Sequence, residues 1–167
     1  MKVRNRLCSF AIFMGVLVSG CAPSAQAPLA VVVANTPTPA SQGLPLALVH
    51  KSPTCGCCGL WVDHLKDAGF QVEVRDAEDI TPVKQRLGVP DGKGSCHTAE
   101  IGGYFIEGHV PAEDIKRLLA EKPNAKGLVL PGMPMGSPGM EGPDGTAQPY
   151  TVELVGKDGT TSPFSAH

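Results

Sequence analysis

Leu46-Ala47-Leu48-Val49-His50, then Lys51-Ser52-Pro53-Thr54, then Cys55-Gly56-Cys57-Cys58-Gly59-Leu60-Trp61, is the stretch that decides the fold. Its first five residues are a short apolar run of the kind that makes a buried strand. Cys55 and Cys58 form a C-x-x-C pair, and Cys57 adds a third sulfur inside it. Beyond them Leu60, Trp61, Leu65 and Ala68 recur at helical spacing, while Asp63, Lys66 and Asp67 take the other face. Gly69 suits the position just past a helix end. Strand, thiol loop and helix follow in immediate succession, the helix starting near Cys57 or Cys58 and running to Ala68.

Working outward, Phe70 to Arg75 alternates apolar and polar residues, which predicts a second strand. Thr81 as N-cap and Pro82 at the first position open a short helix that Gly88 stops after Leu87. Thr98–Ile101 and Tyr104–Glu107 flank Gly102-Gly103, a two-residue hairpin signal. Pro111 opens a third helix, with Glu113 and Asp114 in the first turn, where the helix dipole favours anions. Ile115, Leu118 and Leu119 form its buried face. From Gly127 to Gly145, six of nineteen residues are Gly and four are Pro, so neither helix nor strand is expected there. Tyr150 to Val155 alternates and predicts the last strand, leaving residues 157–167 as a tail. A C-x-x-C pair between the first strand and first helix of this order reads as thioredoxin-like. The expected fold is α/β, a mixed sheet flanked by helices, with a Gly/Pro/Met-rich loop before the last strand.

The N-terminus reads as a targeting segment. Lys2, Arg4 and Arg6 precede an apolar run, Phe10 to Val18, that is too short to span a bilayer as a mature helix. Val18-Ser19-Gly20-Cys21 resembles a bacterial lipobox, which makes residues 1–20 a lipoprotein-type signal peptide and Cys21 the lipidated residue. An ordinary secretory signal cut after Ala25-Gln26-Ala27 is the alternative, and Pro28 directly after that cut disfavours it. Both take the chain out of the cytoplasm. Residues 21–43, rich in Ala, Pro, Ser and Thr and free of charge, read as a flexible tether to a domain over 44–156. The membrane is then met only through a lipid anchor. Net charge is −2, and cleavage before Cys21 removes three cations and no anions, giving −5. No basic footprint for nucleic acid exists.

With Cys8 in the signal and Cys21 acylated, Cys55, Cys57, Cys58 and Cys96 remain for chemistry. An exported chain meets an oxidising compartment, so two structural disulfides are one reading. The trio sits too close together to cross-link distant elements, and vicinal Cys57–Cys58 closure would be strained. A single tetrahedral zinc ion would use Cys55, Cys58 and Cys96 and leave Cys57 surplus. Cu(I) accepts two or three thiolates and shares them between ions, which suits three sulfurs on one loop plus one from elsewhere. A thioredoxin-like thiol–disulfide oxidoreductase, in which Cys55 attacks and Cys58 resolves, is the enzymatic alternative. Cys96-His97 is the expected fourth contributor, against the plainer reading of a buried thiol beside a solvent-facing His97. His109, at the start of the third helix, is a candidate ligand held neutral by the helix dipole, against an ordinary exposed histidine. His64 lies six residues past Cys58, about 9 Å along the helix axis, too far to share an ion with the first-turn thiols. Met133, Met135 and Met140 are candidate thioether donors for Cu(I), or else an apolar cover.

Together, Ser52-Pro53-Thr54-Cys55-Gly56-Cys57-Cys58 with Trp61 and His64, Ser95-Cys96-His97-Thr98, Glu107-Gly108-His109-Val110-Pro111, Pro131-Gly132-Met133-Pro134 and Gly136-Ser137-Pro138-Gly139-Met140 resemble the CopG-like family of exported copper-resistance proteins. The resemblance spans Leu46 to Val155. It implies a thioredoxin-like fold, a periplasmic location and copper handling by Cys55, Cys57, Cys58 and Cys96. Copper ions and other periplasmic copper-handling proteins are the expected partners.

Overall fold

A computed structural model describes residues 43–167. The signal peptide, Cys21 and the tether up to residue 42 lie outside the described residues. Among the described residues, no helix is long and apolar enough to cross a membrane.

Ten elements follow in order: β1 (Ala47–Lys51), α1 (Gly56–Asp67), β2 (Val72–Asp76), α2 (Thr81–Leu87), β3 (His97–Ile101), β4 (Tyr104–Glu107), α3 (Ala112–Glu121), β5 (Ala125–Val129), β6 (Thr151–Gly156) and β7 (Thr161–Ala166). All strands join one sheet in the order β2-β1-β3-β4-β5-β6-β7. Only β1–β2 and β4–β5 are parallel pairs. Each is bridged by a helix, α1 and α3, since a parallel connection must cross back over the sheet; α2 lies in the longer connection from β2 to β3. The mixed α/β class expected from the sequence is borne out.

The alternation of side chains along the strands divides the sheet into two faces. Ala47, Val49, Ile106 and Leu128 meet Trp61 and Leu65 of α1 and Ile115 and Leu118 of α3 in the main core. Phe105, Val129 and Val155 form a smaller cluster that Leu87 and Val89, at the end of α2, pack against. α1 and α3 thus share one face, and α2 covers part of the other.

Three expectations need correction. The region from Gly127 was read as containing no strand, yet β5 runs through Val129. Gly127 masks it, and the reason is steric: a Cβ there would stand 1.9 Å from the Phe105 carbonyl oxygen on β4. The segment 157–167 is no tail. It turns at Gly156–Thr160, closed by Gly156 N–H donating to Thr160 O at 2.9 Å, and returns as the edge strand β7. Pro163 sits on that edge, where no ladder partner needs its missing N–H. The strand over Tyr150–Val155 is found, but as the sixth of seven. Finally, Thr81 does not cap α2. Ile80 holds the N-cap position, and the Asp79 carboxylate accepts the Thr81 N–H at 2.8 Å.

Gly127→Ala is expected to lower the unfolding free energy by about 2–4 kcal/mol, since overpacking against backbone cannot relax by a rotamer change. Gly59→Ala, in open space on α1, is expected to be neutral or stabilising by up to about 1 kcal/mol. Denaturant midpoints of the two variants check this contrast.

Candidate metal centre

β1 ends at Lys51, and the chain turns through Ser52-Pro53-Thr54 into α1, whose N-cap is Cys55 in extended backbone. The first-turn N–H groups have no intrahelical acceptor and carry the positive end of the helix dipole, which favours a thiolate there. No acidic residue lies in that turn. Cys55 and Cys58 are joined as a disulfide with Cα atoms 5.4 Å apart. Cys58 is fully buried, while Cys55 is half-buried. Cys57 and Cys96 are free thiols. Cys57 Sγ lies 3.7 Å from Cys55 Sγ, and Cys58 Sγ lies 3.8 Å from the Cys96 carbonyl oxygen. All four sulfurs fall within 4.8 Å of one another.

Cys96 arrives from the other side, at the start of β3. Its segment is held by Glu107, a fully buried carboxylate at the end of β4. Glu107 accepts the Ser95 N–H at 2.6 Å and the Thr98 hydroxyl at 2.6 Å, and pairs with Lys84 of α2. Gly108 then turns the chain at φ +78°. A Cβ on it would meet Leu130 O at 2.5 Å, so only glycine passes and His109 is delivered toward Cys96. His109 Nε2 lies 3.1 Å from Cys96 Sγ, and His97 Nδ1 lies 3.4 Å from the same sulfur. These three residues form a second donor group within 4.8 Å that shares Cys96 with the first.

The tautomer of His109 follows from its other nitrogen. A carbonyl only accepts, so Nδ1–H donates to Pro138 O at 2.8 Å and the Nε2 lone pair faces the sulfur. Burial lowers the His109 pKa. Burial, with help from His109 and Lys84, drives that of His97 down to about 3. Burial and the neighbouring Cys57 push the Cys96 thiol up to about 11. At neutral pH the pair is a protonated thiol donating to a neutral imidazole, and a metal ion entering here displaces the thiol proton. His97 Nε2 is buried without a hydrogen-bond partner among the described residues, a condition that is rare outside functional positions.

The structure brings Cys55, Cys57, Cys58, Cys96, His97 and His109 together. The plainer readings of a solvent-facing His97 and an exposed His109 are overturned, since both are fully buried. Trp61 accounts for part of this: its ring lies 4.3 Å from that of His97, and its Nε1–H donates to Val110 O at 2.9 Å. His64 stands apart from the thiols, as expected. Its Nε2 accepts the Ala112 N–H at 3.0 Å and ties α1 to the start of α3. The methionine loop reaches the site through its backbone, because a Cβ on Gly139 would stand 2.8 Å from Cys57 O and 2.9 Å from Trp61 N. Met133 and Met135 are exposed, and Met140 is half-buried. Glu107 and Lys84 went unassigned from sequence. The only signal was a carboxylate closing an otherwise apolar strand, Tyr104-Phe105-Ile106-Glu107.

Residues 93–140 match the family model described as "Protein of unknown function, DUF411". Two solved structures, both described as copper resistance protein copG and recorded as form 1 and form 2, are each 44% identical to this chain, with a TM-score of 0.70. The match covers 74% of this chain and 98% of each of theirs. The chain belongs to the CopG copper-resistance family. Among curated proteins no significant match is found. The family model takes in the Cys96/His109 side of the centre.

Three histidines in or beside this centre, His64, His97 and His109, have pKa values lowered by burial. A depressed folded-state pKa gives stability that is present above the unfolded value of about 6.5 and lost as pH falls. Between about pH 6.5 and 4.5 the carboxylates contribute little, because those with resolved shifts are lowered, as at Glu100 and Glu153. The metal-free protein is expected to lose on the order of 1 kcal/mol per pH unit across that window, and His97→Phe to flatten the slope. Urea unfolding at pH 7 and pH 5 measures it, and equal stabilities would contradict it.

Proposed function

We propose that this protein binds copper as its cargo, holding Cu(I) through Cys55, Cys57, Cys58 and Cys96, in copper resistance. The observation that carries the reading is the convergence of four cysteine sulfurs within 4.8 Å, one of them also facing the free lone pair of His109. Thiolate and imidazole donors around a shared sulfur suit a soft ion, and the sharing of Cys96 between two donor groups favours bridged Cu(I) over a single tetrahedral zinc ion. Membership of the copper-resistance family supports the same cargo. His97 and His109 are proposed as nitrogen ligands. The exposed Met133 and Met135, with Met140, are proposed as an outer thioether set.

Binding is coupled to thiol redox state in this proposal. Two electrons and two protons convert the Cys55–Cys58 disulfide to two thiols, raising the number of available thiols at the centre from two to four. Loading of Cu(I) then releases thiol protons, and oxidation back to the disulfide withdraws two ligands. The strand order β2-β1-β3-β4, with α1 leaving β1 through the thiol turn, supports a thioredoxin-like reading of this half of the sheet. It also supports a second function, thiol–disulfide exchange, in which the half-buried Cys55, once reduced, attacks a substrate disulfide and the buried Cys58 resolves the mixed disulfide, re-forming the Cys55–Cys58 bond. We further propose export to the periplasm, with lipid on Cys21 and delivery or receipt of copper by other periplasmic copper-handling proteins.

Cu(I) titration of the reduced chain under anaerobic conditions, against a chromophoric chelator, tests the main reading. Cys57→Ser and Cys96→Ser are expected to weaken binding by at least the roughly 10–100-fold that loss of an outer-shell partner brings. Unchanged affinity in both variants would sink the copper site. In the exchange reading, Cys55→Ser abolishes disulfide reductase turnover while Cys57→Ser retains it. Elemental analysis of the purified protein separates copper from zinc.

A further inference from the structure

The end of the sheet away from the thiols carries a second feature. A groove of about 950 Å³ lies between the chain entry at Gly43–Pro45, the β3–β4 hairpin and the C-terminal end of α3. Leu44, Pro45, Tyr104 and Leu119 give it an apolar floor, and Lys116, Lys122 and Lys157 stand on its rim. No acidic residue lines it. Beside it, sharing the hairpin and Lys157, a smaller hollow of about 360 Å³ adds Lys126 and the ion-paired Arg86 and Glu100.

The pairing of charges sets this end apart. Eight of the eleven lysines and arginines among the described residues sit in ion pairs. The three that do not are Lys122, Lys126 and Lys157, and all three line these two hollows. Nearby carboxylates are engaged: Glu113 by Lys116, Glu121 by Arg117, Glu100 by Arg86 and His50, and Asp158 by the Thr160 N–H and hydroxyl, with Lys126 near enough to act on it through its charge without forming an ion pair. Among the described residues, the lysines outside ion pairs are thus gathered around this groove and the hollow beside it. Single-sign rim charge over an apolar floor matches an amphiphile with an anionic head.

We propose that this groove is a docking surface for anionic phospholipid, and that it turns this end of the domain toward a membrane. The path of the chain agrees. The N-terminal 42 residues join the domain at Gly43, on the groove itself. A tether of 22 residues from Cys21 to Gln42 would hold the domain within roughly 25–30 Å of its anchor if it behaves as a flexible coil. Each lysine near an anionic surface strengthens binding by about 5-fold. β1, β3 and α3 each run between the two sites, so a groove on the membrane leaves the thiols facing away from it.

The test is vesicle sedimentation of the full chain carrying Cys21→Ser, so that no acyl group contributes. The outcome is then independent of whether Cys21 is lipidated. Phosphatidylglycerol vesicles are compared with phosphatidylcholine vesicles at low salt. Three proteins are compared: this chain, the same chain with Lys122→Gln, Lys126→Gln and Lys157→Gln, and a control with Lys66→Gln, Arg75→Gln and Lys93→Gln. The last two have equal net charge, and all three share the same N-terminal segment. The groove variant is expected to lose on the order of 100-fold of its binding to phosphatidylglycerol vesicles, while the control keeps most of it. Equal loss in both variants assigns the effect to overall charge and overturns the proposal. So does an unchanged groove variant, or equal binding to both lipids. Circular dichroism spectra and thermal midpoints matching the parent certify that the variants are folded.

Discussion

The buried carboxylate of Glu107 is the constraint on which the geometry of the centre depends. A carboxylate removed from water is costly unless its oxygens are fully engaged, and here they meet a lysine, a hydroxyl and a backbone N–H. Each partner belongs to a different piece of chain: α2, β3 and the segment entering β3. Satisfying one charge therefore fixes three pieces at once. The Ser95 N–H is the contact that matters for chemistry, because Cys96 follows it directly. Two residues beyond Glu107, on the same run of chain, comes His109. The carboxylate sets the register between the Cys96 sulfur and the imidazole that faces it, without touching either.

With Cys55 and Cys58 joined, the remaining donors are two thiols and two neutral imidazoles, and the Cys96 thiol is held protonated by burial and by Cys57. The buried side of this site, at His97, His109 and Cys58, disfavours free charge of either sign. A metal cation that brings its own positive charge would reverse the balance, since thiolates near it are no longer uncompensated. The Trp61 ring over His97 and the Pro138–Gly139 loop over the first turn of α1 supply the burial on which this depends.

Local pattern made much of this legible. The apolar run into the C-x-C-C turn, the Gly102-Gly103 hairpin and the acidic first turn of α3 all lie where sequence placed them, because short-range chemistry dictates each. The burial of His97 and His109 was not legible. Histidine type and position say nothing about what packs over the ring, and the cover comes from Trp61 and from a loop about thirty residues further on. β5 was hidden by Gly127, whose missing side chain is a demand of β4 rather than a property of its own segment. β7 was hidden for a related reason. An edge strand with Pro163 and few apolar residues is stabilised from outside, by Arg117 over the Phe164 ring and by His167 stacked on Tyr150 and bonded to Asp114.

The two ends of the sheet treat charge in opposite ways. At the thiol end, Lys51 pairs with Asp76 and Lys84 with Glu107, so no free lysine competes with an incoming cation. At the far end, three lysines remain unpaired around an apolar floor. A single sheet joins the two ends, because β1 and β3 both begin or finish at each. The same strands that position the sulfurs therefore also determine which way they face once the other end is held. Antiparallel pairing of β1 with β3 makes this unavoidable: Lys51 pairs with His97 at the thiol end, and Ala47 with Ile101 beside the groove.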